Sequence, residues 1–424
     1  APALAGSAAL AVTGAVLRGE LAGRPRPATI GRRRTAQLRR LLGPEPDQTG
    51  GWARRRDLAP LLVPAPTPGR LTLGRRGRHL LAAEARASVI VLGPSQSGKT
   101  SGLAVPAILE WQGPVVATSV KSDLIRDTIN RRRAMGPTWV YDPTGATGEA
   151  GATWSPLGSC QDWQGSRRTA AALCATGRRG IGGAEDDFWY AASAKLLAPY
   201  LQAAALGGRD IGQVVRWIDL QEEDEVAHIL ESSGETAALA AAAASWQRDE
   251  RTRSSVFTTA EMVLEAYADP TVLASGASCD IDPGRLLDGS AATLYVCAPA
   301  HEQERLRPVF TTLLKTIIDD AYDRSNAEGG ALRAPLLLVL DEAANIAPLP
   351  DLDTRASTVA GHGIQLVTIW QDLAQLRSRY GERAATVVNN HRAKIILSGI
   401  SDPATLEYAS RLLSLIHISE PTRQ

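Results

Sequence analysis

The chain has 424 residues, with 46 lysines and arginines against 45 aspartates and glutamates and a formal net charge of +1. This length predicts two or three compact units, and the balanced charge gives no whole-chain sign of binding to nucleic acid or acidic substrates. Four widely spaced cysteines, without a CxxC pair or a nearby histidine, argue against a disulfide scaffold and a zinc site and for a reducing compartment.

The N-terminal region divides into an apolar segment and a basic segment. Residues 1–17 are uncharged, small and apolar, and they predict the end of a membrane-spanning helix, since a full span needs ~20 such residues. A disordered leader and the tail of a signal sequence are the alternatives. Residues 18–57 carry eleven arginines against four acidic residues, and 43–69 are rich in Pro and Gly. Residues 18–69 therefore predict an extended cytosolic arm, whose arginines contact anionic lipid, contact DNA phosphates or are merely solvated.

Seven short apolar runs, separated by helical patterns, predict an α/β fold with a doubly wound, mostly parallel sheet. The predicted strands are 88–92, 115–118, 138–141, 293–297, 336–340, 365–369 and 394–397. Strand signals stop between about 165 and 283, where helical patterns occupy 188–206, 212–218, 222–232, 235–246 and 254–268. We therefore predict an all-α insert at 166–283, between the two parts of a nucleotide-binding domain at 70–165 and 284–412.

A phosphate-binding loop follows the first predicted strand, where residues 93–100 read GPSQSGKT, a complete GxxxxGK[ST] motif. Glycines let such a loop turn its backbone N–H groups toward phosphates, and the N-terminus of the following helix adds partial positive charge. Lys99 is expected to reach the β- and γ-phosphates, and Thr100 is expected to coordinate Mg²⁺. The residues predicted to bind the nucleotide are Gly93, Pro94, Ser95, Gln96, Ser97, Gly98, Lys99, Thr100 and Ser101.

Two adjacent carboxylates end the strand predicted at 336–340 and supply further requirements of phosphoryl transfer. Asp341 is predicted to hold the Mg²⁺ shell with Thr100, and Glu342 is predicted to polarise the attacking water. Gln371 follows the strand predicted at 365–369, at the edge where doubly wound sheets bind ligands. It either senses the γ-phosphate or caps the helix that follows.

These motifs resemble those of the type IV secretion coupling proteins, the TraG/TraD-type ATPases of conjugative DNA transfer, in their actinobacterial branch. The resemblance covers about 51–412. It is carried by GPSQSGKTSGL at 93–103, ATSVKSDLIRDT at 117–128, VYDPTG at 140–145, DDFWYAASAKLLAPYL at 186–201, LDEAANIAPLPDL at 340–352, WQDLAQLRSRYG at 370–381 and NNHRAKIILSGISD at 389–402. The run at 340–352 is the most specific, because a carboxylate pair followed by Asn and a Pro-Leu-Pro turn is not general among P-loop proteins.

The resemblance implies a RecA-like P-loop NTPase that binds ATP and Mg²⁺ and carries an inserted all-α domain. It implies an inner-membrane anchor through an N-terminal helix, a motor domain in the cytoplasm, and a homo-hexameric ring whose pore passes DNA. Its implied function is to recruit single-stranded, relaxase-bound DNA and to pump it, by ATP hydrolysis, to a type IV secretion channel. The resemblance also favours the sensing role of Gln371. A related motor for protein substrates and a nucleotide-binding membrane scaffold with negligible turnover are the alternatives.

One departure from the family concerns an arginine. Many relatives carry an Arg before the strand that ends in the sensing Gln, whereas residues 360–363 read AGHG here. His362 cannot replace a permanently charged guanidinium at neutral pH. The arginine that acts on a neighbouring subunit's nucleotide is therefore left open among Arg253, Arg307 and Arg392.

Two other segments need interpretation. The aromatic run at 187–190 fits core packing by its helical periodicity, with base stacking as the alternative. Residues 413–423 read LSLIHISEPTR, which looks like a translated sequencing adapter. We therefore expect 413–424 not to be native sequence.

Overall fold

The computed structural model describes residues 55–175, 184–346 and 348–413. The strands of these ranges are, in chain order, β1 (Leu62–Val63), β2 (Thr72–Arg76), β3 (His79–Ala82), β4 (Val89–Leu92), β5 (Val115–Ser119), β6 (Thr138–Tyr141), β7 (Thr293–Cys297), β8 (Leu336–Leu340), β9 (Ile364–Trp370) and β10 (Ala393–Ile396). Strands β4 to β10 form one parallel sheet in the order β10-β4-β9-β8-β5-β7-β6. All seven strands predicted from apolar runs lie in this sheet, so the predicted α/β class is confirmed.

Helices connect and cover the strands. Those of the described ranges are α1 (Arg55–Leu58), α2 (Val105–Glu110), α3 (Ser122–Arg133), α4 (Trp163–Ala175), α5 (Ala184–Leu206), α6 (Ile211–Asp219), α7 (Asp224–Ser232), α8 (Thr236–Trp246), α9 (Glu250–Leu264), α10 (Pro270–Ser275), α11 (Pro283–Leu286), α12 (Gln303–Ala327), α13 (Leu352–Thr358), α14 (Leu373–Tyr380), α15 (Ala384–Asn390) and α16 (Pro403–Leu413). None of these described helices combines the length and apolar character that a membrane crossing requires.

Alternate residues of the large sheet face two separate hydrophobic clusters, which explains why its strands read as unbroken apolar runs. On one face, Ile90 and Leu338 belong to a large cluster shared with α4 to α9 and α12. On the other face, Val91 and Leu337 pack with residues of α2 and α3, including Leu124. Helices therefore cover both faces of the sheet.

The described chain between β6 and β7 contains helices and turns but no strand. The five helical patterns predicted there correspond to α5 to α9, whereas α4 was not predicted, because its first turn (WQGSRR) is polar. Tyr200 of α5 lies at the centre, with edge-to-face ring contacts to Trp217, Trp246 and Phe257 at 6.3–6.5 Å. These aromatic contacts join α5 to α6, α8 and α9. The domain boundaries at 165 and 283 stay a prediction.

A small antiparallel sheet, in the order β1-β3-β2, was not predicted. Its strand β1 and helix α1 fall within 18–69, so the prediction of an extended arm is wrong for the described part of that segment, which is folded. Tertiary pairing overrides the Pro-rich composition, since Leu62 and Val63 pair with Leu81 and Leu80 of β3. The predicted membrane segment at 1–17, the rest of the arm before residue 55, and residues 414–424 lie outside the described residues.

The aromatic run at 187–190 begins the side-chain packing of α5. Trp189 and Tyr190 are partly buried against the large cluster. Phe188, in contrast, is 52% exposed and contacts Trp189 edge to face. The core-packing interpretation therefore holds for Trp189 and Tyr190 and is wrong for Phe188, which lies on the outer side of the helix.

Candidate functional site

The phosphate-binding loop begins where β4 ends, and its backbone explains both glycines of the motif. A Cβ at Gly93 would lie 2.7 Å from the Oγ of Ser97 and 3.0 Å from the Cβ of Leu397, so any larger residue would force these neighbours to shift. Gly98 has a φ of +85°, in the left-handed region that other residues rarely adopt. Gln96 adopts the same region without being glycine, with a φ of +62°. The loop is thus held in a strained curve, as is common at ligand-binding sites.

Lys99 lies folded over this loop. Its Nζ donates to the carbonyl oxygens of Gly93 at 2.5 Å and Pro94 at 2.7 Å, and the residue is only 7% exposed. Burial lowers the pKa of the Lys99 amine, and the negative charges of Glu342 and Asp341 oppose that effect. The amine therefore lies near the two carboxylates that follow β8, where it can contact an anion bound by the loop.

Asp341 and Thr100 meet at the carboxyl ends of β8 and β4. The Oγ1 of Thr100 donates to the Oδ2 of Asp341 at 2.8 Å, and the Oγ1 of Thr118 donates to the Asp341 backbone carbonyl at 3.1 Å. Burial raises the pKa of Asp341 to about 6, and the charge of Glu342 adds to the rise, while the Thr100 hydrogen bond and Lys99 oppose it. A buried carboxylate beside a hydroxyl is an oxygen pair of the kind that Mg²⁺ prefers.

Glu342 occupies an unusual backbone position directly beside Asp341. Its φ is +55°, in the left-handed region, although it is not glycine. The Nδ2 of Asn345 donates to its Oε2 at 3.2 Å. Such a conformation costs of order 1–3 kcal/mol and is found at functional sites more often than elsewhere. The sequence did not single out Asn345 for this role, although it stands three residues after Glu342 in the LDEAAN run.

These residues surround one cavity of about 380 Å³. Its lining includes six residues of the loop region, namely Ser95, Gln96, Gly98, Lys99, Thr100 and Ser101, together with Asp341 and Glu342. Gly93, Pro94 and Ser97 shape the loop without lining the cavity. Four further lining residues, Ser119, Val120, Lys121 and Asp123, were not predicted as site residues. The sequence signal that could have found them is the run ATSVKSDLIRDT at 117–128, which contains all four. They extend from the last residue of β5 into the first turn of α3, and the carboxyl end of β5 lies beside that of β8.

Gln371 follows β9, the strand between β4 and β8. The backbone N–H of Gly93 donates to the carbonyl of Trp370 at 3.1 Å, so Gln371 starts next to the phosphate-binding loop. It does not line the cavity of 380 Å³. Asp372, rather than Gln371, caps α14, with its Oδ1 accepting from the backbone N–H of Gln375 at 2.8 Å. The capping interpretation of Gln371 is therefore wrong, and its sensing role stays a prediction.

His362 lies just before β9 begins, at the amino end of this strand, whereas the phosphate-binding loop follows the carboxyl end of the parallel strand β4. Its ring stacks on Tyr322 with a centroid distance of 4.1 Å, and its Nδ1 shares a hydrogen bond of 2.6 Å with the Oγ of Ser325. The histidine therefore packs against α12 and is remote from the chain's own phosphate-binding loop.

The three candidate arginines occupy different places. Arg392 pairs with Glu84 at 2.5 Å. Arg253 pairs with Glu223 at 3.4 Å within the helical segment, which is the described chain between β6 and β7. Arg307 lies in the first turns of α12, which follows the carboxyl end of β7. The choice among them stays open.

A family model described as "Type IV secretory system Conjugative DNA transfer" matches residues 55–417 of the chain. A conjugal transfer protein TraG of Escherichia coli is 26% identical over 338 residues, covering 72% of this chain and 51% of the relative. A VirD4 protein of Rhizobium rhizogenes is 23% identical over 357 residues, covering 80% of this chain and 50% of the relative. The chain thus spans about half the length of the curated relatives it matches.

Solved structures of the bacterial conjugative coupling protein TrwB are similar in fold. The unbound monoclinic form has a TM-score of 0.63 at 18% identity and covers 82% of this chain and 77% of that one. A TrwB complex with ADP and Mg²⁺ has a TM-score of 0.60 at 19% identity and covers 93% and 86%, respectively. At these identities the likeness shows a shared α/β fold.

Proposed function

The chain belongs to the type IV secretory system conjugative DNA transfer family, and we propose that it is the motor part of a coupling protein that hydrolyses ATP to pump DNA to a secretion channel. One observation carries this proposal. The phosphate-binding loop, Asp341 and Glu342 surround a single cavity in a chain that the family model matches over residues 55–417.

The residues around the cavity fit ATP and Mg²⁺. A Cβ added at Gly98 would meet nothing closer than the Oγ of Ser101 at 4.0 Å, so backbone N–H groups on that side of the loop are accessible to phosphate oxygens. The hydroxyl of Thr100 and the carboxylate of Asp341, 2.8 Å apart, would hold Mg²⁺ between them. The metal ion that these two residues would hold would supply positive charge to offset the charge that develops on the phosphates during transfer. A TrwB structure contains ADP and Mg²⁺, which supports the binding of an adenine nucleotide and Mg²⁺ at this site.

The protein side chains divide the chemical work. Lys99 exchanges its two carbonyl acceptors for phosphate oxygens and contributes positive charge to them. Glu342, held by Asn345, orients the attacking water and accepts its proton. Gln371, at the end of the strand between the two motifs, responds to the presence of the γ-phosphate. Hydrolysis thereby changes the contacts at the adjoining ends of β4, β9 and β8.

The finer parts of the proposal concern assembly and substrate. We place the motor in a homo-hexamer at the cytoplasmic face of the inner membrane, with an arginine of one subunit completing the site of the next. Its cargo is single-stranded DNA with an attached relaxase, and its partners are the components of the secretion channel. The support is the family membership together with a site that has the phosphate loop and carboxylates of a hydrolase.

Steady-state ATP hydrolysis with and without single-stranded DNA tests the proposal. We expect DNA to stimulate hydrolysis in the wild-type chain and Lys99→Ala and Glu342→Gln to abolish it. Glu304→Gln, an exposed change of the same chemistry on α12, is the matched control and retains wild-type turnover.

Three outcomes would contradict parts of this scheme. Wild-type turnover in Glu342→Gln would refute the assigned chemistry, and tight nucleotide binding with no wild-type turnover would favour a scaffold. Stimulation by a protein substrate but not by DNA, across a range of salt concentrations, would favour a protein-moving motor, since phosphate contacts weaken with salt.

A further inference from the structure

A second cavity, of about 420 Å³, lies among the helices between β6 and β7. It shares no lining residue with the cavity at the phosphate-binding loop. Its walls come from α4, from α5, and from α8 and the residues just after α8. We call it the helical cavity. Trp163, five alanines and a serine form its walls, and three basic residues complete the lining, which contains no aspartate or glutamate.

The three basic residues come from three different elements. Arg167 belongs to α4, Lys195 to α5, and Arg248 follows α8. In the described part of the chain, none of the three has an ion pair or side-chain hydrogen bond. Arg168, the neighbour of Arg167, pairs with Asp323 at 3.0 Å on the other side of α4. Arg167 and Lys195 are exposed and Arg248 is half-buried, so water screens part of the repulsion among these three cations, and an anion bound between them would offset the remainder.

The rest of the lining favours a flat apolar group attached to the anion. Five of the lining residues are alanines, which leave smooth walls, and the half-buried Trp163 contributes part of its indole ring to the lining. Planar bases stack on tryptophan and on arginine guanidinium groups, while arginine and lysine bind phosphate oxygens. The volume of about 420 Å³ lies in the range of small-molecule sites and is large enough for one nucleotide.

We propose that the helical cavity binds a nucleotide unit, with its base against Trp163 and its phosphate among Arg167, Lys195 and Arg248. The same chemistry has two sources, a free mononucleotide and a single nucleotide within a DNA strand. This site is separate from hydrolysis at the phosphate-binding loop and would exist whether or not the proposed motor function is correct.

The test measures binding of two probes to the whole chain in a Lys99→Ala background, which removes the loop's lysine. The probes are 5′-AMP and a fluorescein-labelled ten-nucleotide oligothymidylate. Arg167→Glu combined with Lys195→Glu is expected to weaken binding of the probe that occupies the site at least tenfold. If the strand is bound, the slope of log affinity against log salt falls by about 1.4, at ~0.7 for each lost phosphate contact. Ala244→Leu, which fills the cavity without changing charge, is expected to weaken the same probe.

The matched control is Arg216→Glu combined with Arg251→Glu. Both arginines are exposed on the same helical segment and neither lines the cavity, so the change in net charge is identical. Circular dichroism and melting temperature verify that each variant folds. Loss of only the oligonucleotide, or of only 5′-AMP, supports the site and identifies its source.

The proposal is overturned by any of three results. The first is that neither probe binds to the parent chain. The second is that the control pair of substitutions weakens probe binding as much as the Arg167→Glu and Lys195→Glu pair does. The third is that a glutamate-rich peptide binds at the cavity and neither nucleotide probe competes with it. Hydrolysis without DNA, measured on chains that retain Lys99, reports separately on the phosphate-binding loop, so failure of one site is distinguishable from failure of the other.

Discussion

Glu342 offers a sharp test, because its chemistry and its backbone strain can be separated by two substitutions. Glu342→Ala removes the carboxylate and keeps a Cβ at a φ of +55°. Glu342→Gly removes the carboxylate and also the steric conflict of a left-handed residue. Both variants lose the hydrogen bond from Asn345. The difference in stability between them therefore equals the backbone strain minus the cost of ordering the more flexible unfolded glycine.

The expected magnitudes follow from the structure. The Asn345 bond is 3.2 Å long and partly buried, so its loss costs about 0.5–1 kcal/mol in both variants. A left-handed backbone destabilises the folded state of a residue with a Cβ by ~1–2 kcal/mol, and Glu342→Gly removes this strain. Glycine also has more conformational freedom in the unfolded chain, which lowers the free energy of unfolding of Glu342→Gly by ~0.4–1 kcal/mol. We expect Glu342→Gly to be more stable to unfolding than Glu342→Ala by about 1 kcal/mol and close to the wild type. Hydrolysis is expected to fall ~10²–10⁴-fold in both, as for loss of a general base.

Urea unfolding followed by tryptophan fluorescence measures the stability difference, and a coupled assay for phosphate release measures hydrolysis. Equal m values in the two variants would confirm that the same surface unfolds. If Glu342→Ala is as stable as Glu342→Gly, the strain at this position is refuted. If either variant hydrolyses ATP at the wild-type rate, the assigned role of Glu342 is refuted, whatever the stability result.

Three further predictions concern other parts of the molecule. Arg132 is fully buried and donates to the carbonyls of Trp111, Gly113 and Ala291 at 2.5–3.0 Å. Arg132→Met should therefore lower the free energy of unfolding by ~3–9 kcal/mol, at ~1–3 kcal/mol for each of the three carbonyls that lose their donor. A loss below 1 kcal/mol in urea titration would show that water replaces the guanidinium. Burial lowers the pKa of His391 to about 4, so protonation favours the unfolded chain, and the free energy of unfolding falls by up to about 3 kcal/mol as the pH drops from 6.5 to 4. His391→Gln should lack this part of the pH dependence. Identical pH profiles for the variant and the wild type would contradict the prediction. Thr100→Val keeps the shape of the side chain and removes the hydroxyl that donates to Asp341. Half-maximal hydrolysis should then need at least tenfold more Mg²⁺. An unchanged Mg²⁺ titration would exclude Thr100 as a ligand of the metal ion.

The strands of the large sheet could be predicted because burial on both faces leaves a strong signal in the residues themselves. β8 reads LLLVL, and each of its five residues is buried. The small sheet could not be predicted in the same way. β2 reads TLGRR and its last three residues are exposed, so its pairing with β3 depends on contacts that no local pattern contains.

The candidate site shows a similar division. The loop and its two carboxylates follow from motif spacing, and strand order then brings Thr100 and Asp341 to 2.8 Å across 241 positions of sequence. The positive φ of Glu342 and its hydrogen bond from Asn345 could not be predicted from the sequence, because neither residue type indicates a left-handed backbone there. The capping residue of α14 likewise required geometry, since Gln371 and Asp372 are adjacent and both polar.

The packing around Glu342 connects the site to the helical segment. Leu340 and Ala343, which flank the carboxylate pair, belong to the same hydrophobic cluster as Leu196 and Leu201 of α5. Protein interiors are close-packed, so they transmit a displacement rather than absorb it. A backbone change at Glu342 would therefore be felt at α5, the helix that also carries Lys195 of the helical cavity. Because this cluster is continuous, the helical segment is expected to move with the sheet as one body, so motions that follow hydrolysis would occur at its outer surfaces.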